Sequence, residues 1–131
     1  MEKYIQNYNI KEMNEENKSD IIKLINRMVT FCKDARKEGI LSLEKDLPDI
    51  KDFFLSLGLK MLLSGYDAVI IKKTLNNLII AENYQGIELL KKLIIKDGLF
   101  VLQEGYNPSV VEIMLYGYLG EEYLIDKSHD L

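Results

Sequence analysis

Histidine and cysteine each occur once in this chain, and tryptophan not at all. His129 lies near the C-terminus and Cys32 far from it. A histidine metal cluster or a Ser-His-Asp triad therefore cannot be assembled. One cysteine excludes an internal disulfide and suits a reducing compartment. Its neighbours at helical spacing are apolar, so Cys32 reads as a buried structural thiol. Long apolar runs are also missing, and a membrane span needs about 20 such residues. The opening residues, MEKYIQNYNIKEMNEENKSD, are polar and acidic and lack the apolar centre of a signal peptide. The expectation is a soluble, cytoplasmic chain. Basic runs stop at Lys72-Lys73 and Lys91-Lys92, and the net charge is −4, so nucleic acid is not an expected partner. There is no glycine-rich phosphate loop following a strand. The carboxylate pairs Glu15-Glu16 and Glu121-Glu122 read as solvated ends and not as an acid–base pair. Neither catalysis nor a cofactor or metal is expected.

What is present is a balance of 47% apolar and 29% charged residues over 131 positions. That is the composition of one globular domain, and a chain of this length buries about two thirds of its unfolded surface. Residues 1–18 read as a polar N-terminal arm, with Tyr4, Ile5, Tyr8 and Ile10 able to dock on the body. Ser19 and Asp20 are N-cap residue types. Ile21, Leu24, Ile25, Met28, Val29 and Cys32 then recur at three and four, which predicts an amphipathic helix. Gly39 is its stop. Pro48 suits the start of a second helix over about Asp49–Ser64, burying Phe53, Phe54, Leu57, Met61 and Leu62. A third runs from a cap at Asp67 to about Ala81, and a fourth over about Asn83–Lys96.

A repeat follows. GLKMLLSGYDAVIIKKTL, residues 58–75, aligns without gaps on GLFVLQEGYNPSVVEIML, residues 98–115. Each copy reads helix, glycine, tyrosine, capping residue, helix. Gly65 and Gly105 supply left-handed turns, Asp67 and Asn107 the caps, and Tyr66 and Tyr106 a hydrophobic staple to Ile71 and Val111. An offset of 40 residues falls in the range of stacked helical units. The predicted fold is all-α, a compact helical bundle or short superhelix over residues 19–122, with a tail at 123–131. Tyr116 and Tyr118 in LYGYLGEEY are either core rings or a second interaction face, since tyrosine is enriched at hot spots.

The segment DARKEGILSLEKD, Asp34–Asp46, places charges of both signs around Gly39. The charges are either a solvated helix end or a recognition surface. ARKEGILSLE, followed by a short acidic spacer and FFLSLGLKMLLSGYDAVIIKKTLNNLI, resembles the cytoplasmic domain of MotA, the A subunit of the flagellar stator. The likeness covers roughly residues 30–82 and rests on the motif and the hairpin occurring in the same order. It implies a partner, the rotor protein FliG, met by an arginine and a glutamate whose matching positions are Arg36 and Glu44, with Lys33, Lys37 and Glu38 nearby. On an unbroken helix Arg36 and Glu44 would stand about 80° apart and would not satisfy each other. The stator family has four membrane helices and this chain has none, so a motor role would be to bind rotor or stator components without conducting ions. The alternative is a helical-repeat adaptor with no motor role, and a weaker third reading is a small-ligand-binding helical domain.

Overall fold

The computed structural model describes residues 12–131, and among them the chain is all-α, without a strand. Tyr4, Ile5, Tyr8 and Ile10 lie outside the described residues. The elements are α1 (Glu15–Glu38), a run of 3₁₀ turns (Ile40–Asp49), α2 (Phe53–Leu63), α3 (Ala68–Glu82), α4 (Gly86–Glu104), α5 (Pro108–Tyr116) and a C-terminal cluster of short turns ending in α6 (Ile125–Ser128).

Helix α1 begins earlier than its apolar stripe. Asn14 is the N-cap, its Oδ1 accepting from the Asn17 N–H at 2.7 Å, and Glu15 and Glu16 occupy the first turn. Carboxylates there complement the helix dipole, so the polar residues ahead of Ser19 extend the helix. Gly39 ends it with φ 91°, and its carbonyl accepts from the Ser42 N–H and Oγ at 3.1 and 2.7 Å. Those bonds turn the chain into the 3₁₀ run.

The 3₁₀ run displaces the expected start of the second helix. Pro48 sits inside it, and α2 starts only at Phe53, capped by Asp52 Oδ1, which accepts from the Phe54 N–H at 3.1 Å. The buried face also lies one or two positions from the expected one. Phe54, Leu55, Leu59 and Leu62 are buried, whereas Phe53 is 67% exposed and Leu57 and Met61 are only half-buried.

Helix α4 is the central element, packed by α1, α2, α3 and α5. It runs unbroken through Gly98, joining the expected fourth helix to the first helix of the second repeat copy. Gly98 does not stop it. A Cβ at Gly98 would lie 2.6 Å from Met28 Cε, 3.1 Å from Cγ and 3.3 Å from Cβ, so the glycine is a notch that receives α1. Its counterpart in the first copy, Gly58, is a notch for Leu99. Leu89, Leu90, Leu93, Ile94, Leu99 and Leu102 carry α4 through the core.

The repeat holds at the level of individual hydrogen bonds. In the first copy the Gly65 N–H donates to Leu62 O at 3.1 Å and the Tyr66 N–H to Met61 O at 3.0 Å; in the second Gly105 donates to Leu102 O and Tyr106 to Val101 O, both at 3.2 Å. This is the six-to-one and five-to-two pairing of a Schellman turn, closed by glycines at φ 83° and 75°. Asp67 and Asn107 then cap α3 and α5 by accepting from the N–H two residues on, at 3.0 and 2.9 Å. Tyr66 and Tyr106 are each 49% exposed.

Candidate functional site

The end of the bundle at Gly39 gathers the charged segment and both repeated turns. Arg36 lies in the last turn of α1, and its Nη1 donates to Gly105 O at 3.3 Å. That carbonyl closes the C-terminus of α4, so the guanidinium meets the negative end of a helix dipole. Gln103, two residues earlier, donates from Nε2 to Tyr66 O at 2.9 Å. Thus α1 holds the second turn and α4 holds the first. Beneath them lies a cleft of about 340 Å³, lined by Ala35, Arg36, Ile40, Leu102 and Tyr106 among others.

Cys32 is at the floor of this cleft, 2% exposed. Burial pushes its thiol from the ordinary 9.0 up to about 11, because a thiolate there would lose its hydration. It is therefore a protonated, apolar filler at neutral pH.

The remaining charges point outward. Lys33, Lys37 and Glu44 are exposed, and among the described residues none has a hydrogen-bond or ion-pair partner. Glu38 lies 3.9 Å from Lys45, a loose pair with both side chains more than half exposed. Such a pair is worth about 0.2–1 kcal/mol. Arg36 and Glu44 sit on opposite sides of the Gly39 break, one on α1 and the other in the 3₁₀ run. They do not pair with each other, as their spacing led us to expect, although the helix does not continue unbroken between them.

Tyr116 and Tyr118 are placed differently. Tyr116 is buried, its hydroxyl donating to Asn26 Oδ1 at 2.9 Å. Its ring stacks on Tyr123 at 6.5 Å, with the Lys127 ammonium 4.5 Å from its centroid. Lys127 in turn bonds Glu112 at 2.9 Å, which raises the lysine's pKa above its ordinary value. Tyr118 is half-buried and donates to Asp97 Oδ2. Both phenols thus fasten the C-terminal segment to α1 and α4. Among the described residues, the tyrosines that face solvent are Tyr66 and Tyr106, for which the staple pattern predicts packing.

Two lysines of α4, Lys92 and Lys96, are buried, and Lys96 Nζ donates to Asn76 Oδ1 at 3.0 Å. Lys92 Nζ donates to Asp52 Oδ1 and Oδ2 at 3.1 and 3.3 Å and lies 5.0 and 5.6 Å from the Tyr84 and Phe54 rings. It ties α4 to the cap of α2, a structural role. Among the described residues, no group of three or more His, Cys, Asp or Glu side chains could hold a metal ion, and no helix is long and apolar enough to cross a membrane. No family model, curated protein or solved structure matches the chain.

Proposed function

We propose that this chain is a non-enzymatic, MotA-like motility protein. In this reading it engages a FliG-type rotor protein through Arg36 and Glu44 and so assists or modulates contact between stator and rotor. The observation that carries the reading is the exposure of these two opposite charges on either side of the Gly39 break, unpaired with each other, with Glu44 lacking any partner among the described residues. Lys33, Lys37 and Glu38 extend the same charged face. Each exposed pair formed across such an interface contributes about 0.2–1 kcal/mol, so the contact is weak, fast and salt-sensitive. That suits a surface that is engaged and released repeatedly.

The test is a titration of the rotor protein's C-terminal domain with wild type, Arg36→Glu and Glu44→Lys. Both reversals are expected to weaken binding and to flatten its salt dependence. Because Arg36 also bonds Gly105 O, Arg36→Glu needs a thermal melt beside it, while Glu44→Lys tests the surface without that complication. Binding unaffected by Glu44→Lys refutes the assignment.

A second reading, a helical-repeat adaptor, is favoured by one specific observation. The repeated turns present Tyr66, Val69 and Ile70 in one copy and Tyr106 and Val110 in the other, all exposed. Under this reading, Tyr66→Ala with Tyr106→Ala abolishes partner binding while Glu44→Lys leaves it intact.

A further inference from the structure

A second charged feature lies on the other side of α1. Arg27 precedes Arg36 by nine residues, which on a helix is half a turn around the axis and about 13 Å along it. Asp20, Lys23, Leu24 and Arg27 of α1 form one wall of an open groove of about 540 Å³. Glu88, Lys91, Lys92 and Ile95 of α4 form the other. Both sets have the spacing i, i+3, i+4, i+7, so each is one face of a helix followed for two turns, about 10 Å. Lys51 and Asp52 close the groove where α2 begins.

The groove carries two more cations than carboxylates, on a chain whose net charge is −4. Two of its three acids are engaged by its own lysines, and Asp20 has no cation within 4 Å among the described residues. Asp52 bonds Lys92, and Glu88 lies 3.5 Å from Lys91 and 3.9 Å from Lys92. Lys23, Arg27 and Lys51 have no carboxylate within 4 Å among the described residues; Arg27 only stacks over the Phe31 ring at 5.6 Å. Half-buried Leu24 gives the groove an apolar contact between these charges, over buried Ile95.

We infer that this groove binds an acidic peptide segment of a protein partner. Its cations are strung along two helical turns instead of converging on one point, which fits several carboxylates on an extended segment better than a single phosphate. The partly exposed Leu24 offers an apolar contact to a side chain between them. This inference is independent of the Arg36–Glu44 surface.

The probe is a fluorescein-labelled octapeptide of six glutamates and two leucines, titrated by anisotropy at low and moderate salt and by amide chemical shifts. Expected are salt-sensitive binding and shifts confined to residues 20–27, 51–52 and 88–95. Lys23→Glu with Lys51→Glu is expected to weaken binding about ten-fold. Lys60→Glu with Lys73→Glu, which changes net charge equally outside the groove, is expected to change it less than about two-fold. Equal losses in the two double variants, shifts outside the groove, or no binding overturns the inference. Displacement of the peptide by an equimolar amount of pyrophosphate also overturns it, because the site would then be a point receptor for small anions. Should the Lys23/Lys51 variant fail to fold, the shift map of the wild type decides alone.

Discussion

The contact between Gly98 and Met28 makes a prediction whose sign can be reversed at will. In an isolated helix, replacing an interior glycine by alanine stabilises by about 1 kcal/mol. At Gly98 the new methyl would meet Met28 Cε at 2.6 Å, Cγ at 3.1 Å and Cβ at 3.3 Å. Met28 has no exposed surface, so its thioether has no solvent to swing into. Its Cβ is fixed to the α1 backbone, so relief requires the two helices to separate. Overpacking of this kind costs about 1–3 kcal/mol, which exceeds or cancels the gain in propensity. Gly98→Ala is thus expected to destabilise by up to about 2 kcal/mol.

Met28→Ala alone should cost about 2–5 kcal/mol through the cavity it leaves. In that background, however, the two closest contacts, Cε and Cγ, are gone; only the 3.3 Å approach to the retained Cβ is left, a few tenths of an ångström to relieve, and Gly98→Ala improves the helix. It should then stabilise by about 0.5–1 kcal/mol. The coupling energy of the cycle is about 1–3 kcal/mol. Urea unfolding followed by circular dichroism at 222 nm measures all four variants, and an unchanged m-value certifies that stability alone has moved. If Gly98→Ala stabilises the wild type and the two changes add, α1 and α4 do not cross at this notch and the account of the central helix fails.

Three further outcomes follow from the same packing. Gly58→Ala should likewise destabilise, by about 1–3 kcal/mol less the gain in helix propensity, because its new methyl overlaps Leu99 Cδ1 and meets Leu75 Cδ1 at 3.4 Å, and both leucines are buried; the same urea titration measures it. Asp67→Ala and Asn107→Ala should each cost about 1 kcal/mol by loss of an N-cap, and similar values in thermal melts would show that the two copies use one capping device. Cys32 should resist iodoacetamide at pH 8 and react only on opening; since its folded pKa lies above the ordinary 9.0, its contribution to stability is full below pH 9 and lost as pH rises towards about 11, so Cys32→Ala should flatten the alkaline side of the stability profile.

Local chemistry made much of this fold legible in the sequence. The turns at Gly65 and Gly105 and the caps at Asp67 and Asn107 are each specified within five or six residues, and the stop at Gly39 likewise. What the sequence hid depends on residues far apart. The partner that Gly98 makes room for, Met28, lies 70 positions away. Phe53, expected in the core, is exposed and Leu55 is buried in α2. The hydrogen bond from Arg36 to Gly105 O spans 69 residues, and the basic groove draws on three separate segments. In the case of Tyr116, its partner Asn26 lies 90 residues away and no local pattern announces the pair. The exposed charges at Lys33, Lys37 and Glu44 were visible as charges, but whether they face a partner is a property of the surface and not of spacing.

The central claim is that the charges around Gly39 form a recognition surface. The most direct measurement is the affinity of this chain for the C-terminal domain of the rotor protein from the same source, by calorimetric titration at low and moderate salt, with wild type and Glu44→Lys. The account predicts weak binding that fades with salt and is further weakened by the reversal. Absence of binding at both salt concentrations, or binding that Glu44→Lys leaves unchanged, would contradict it.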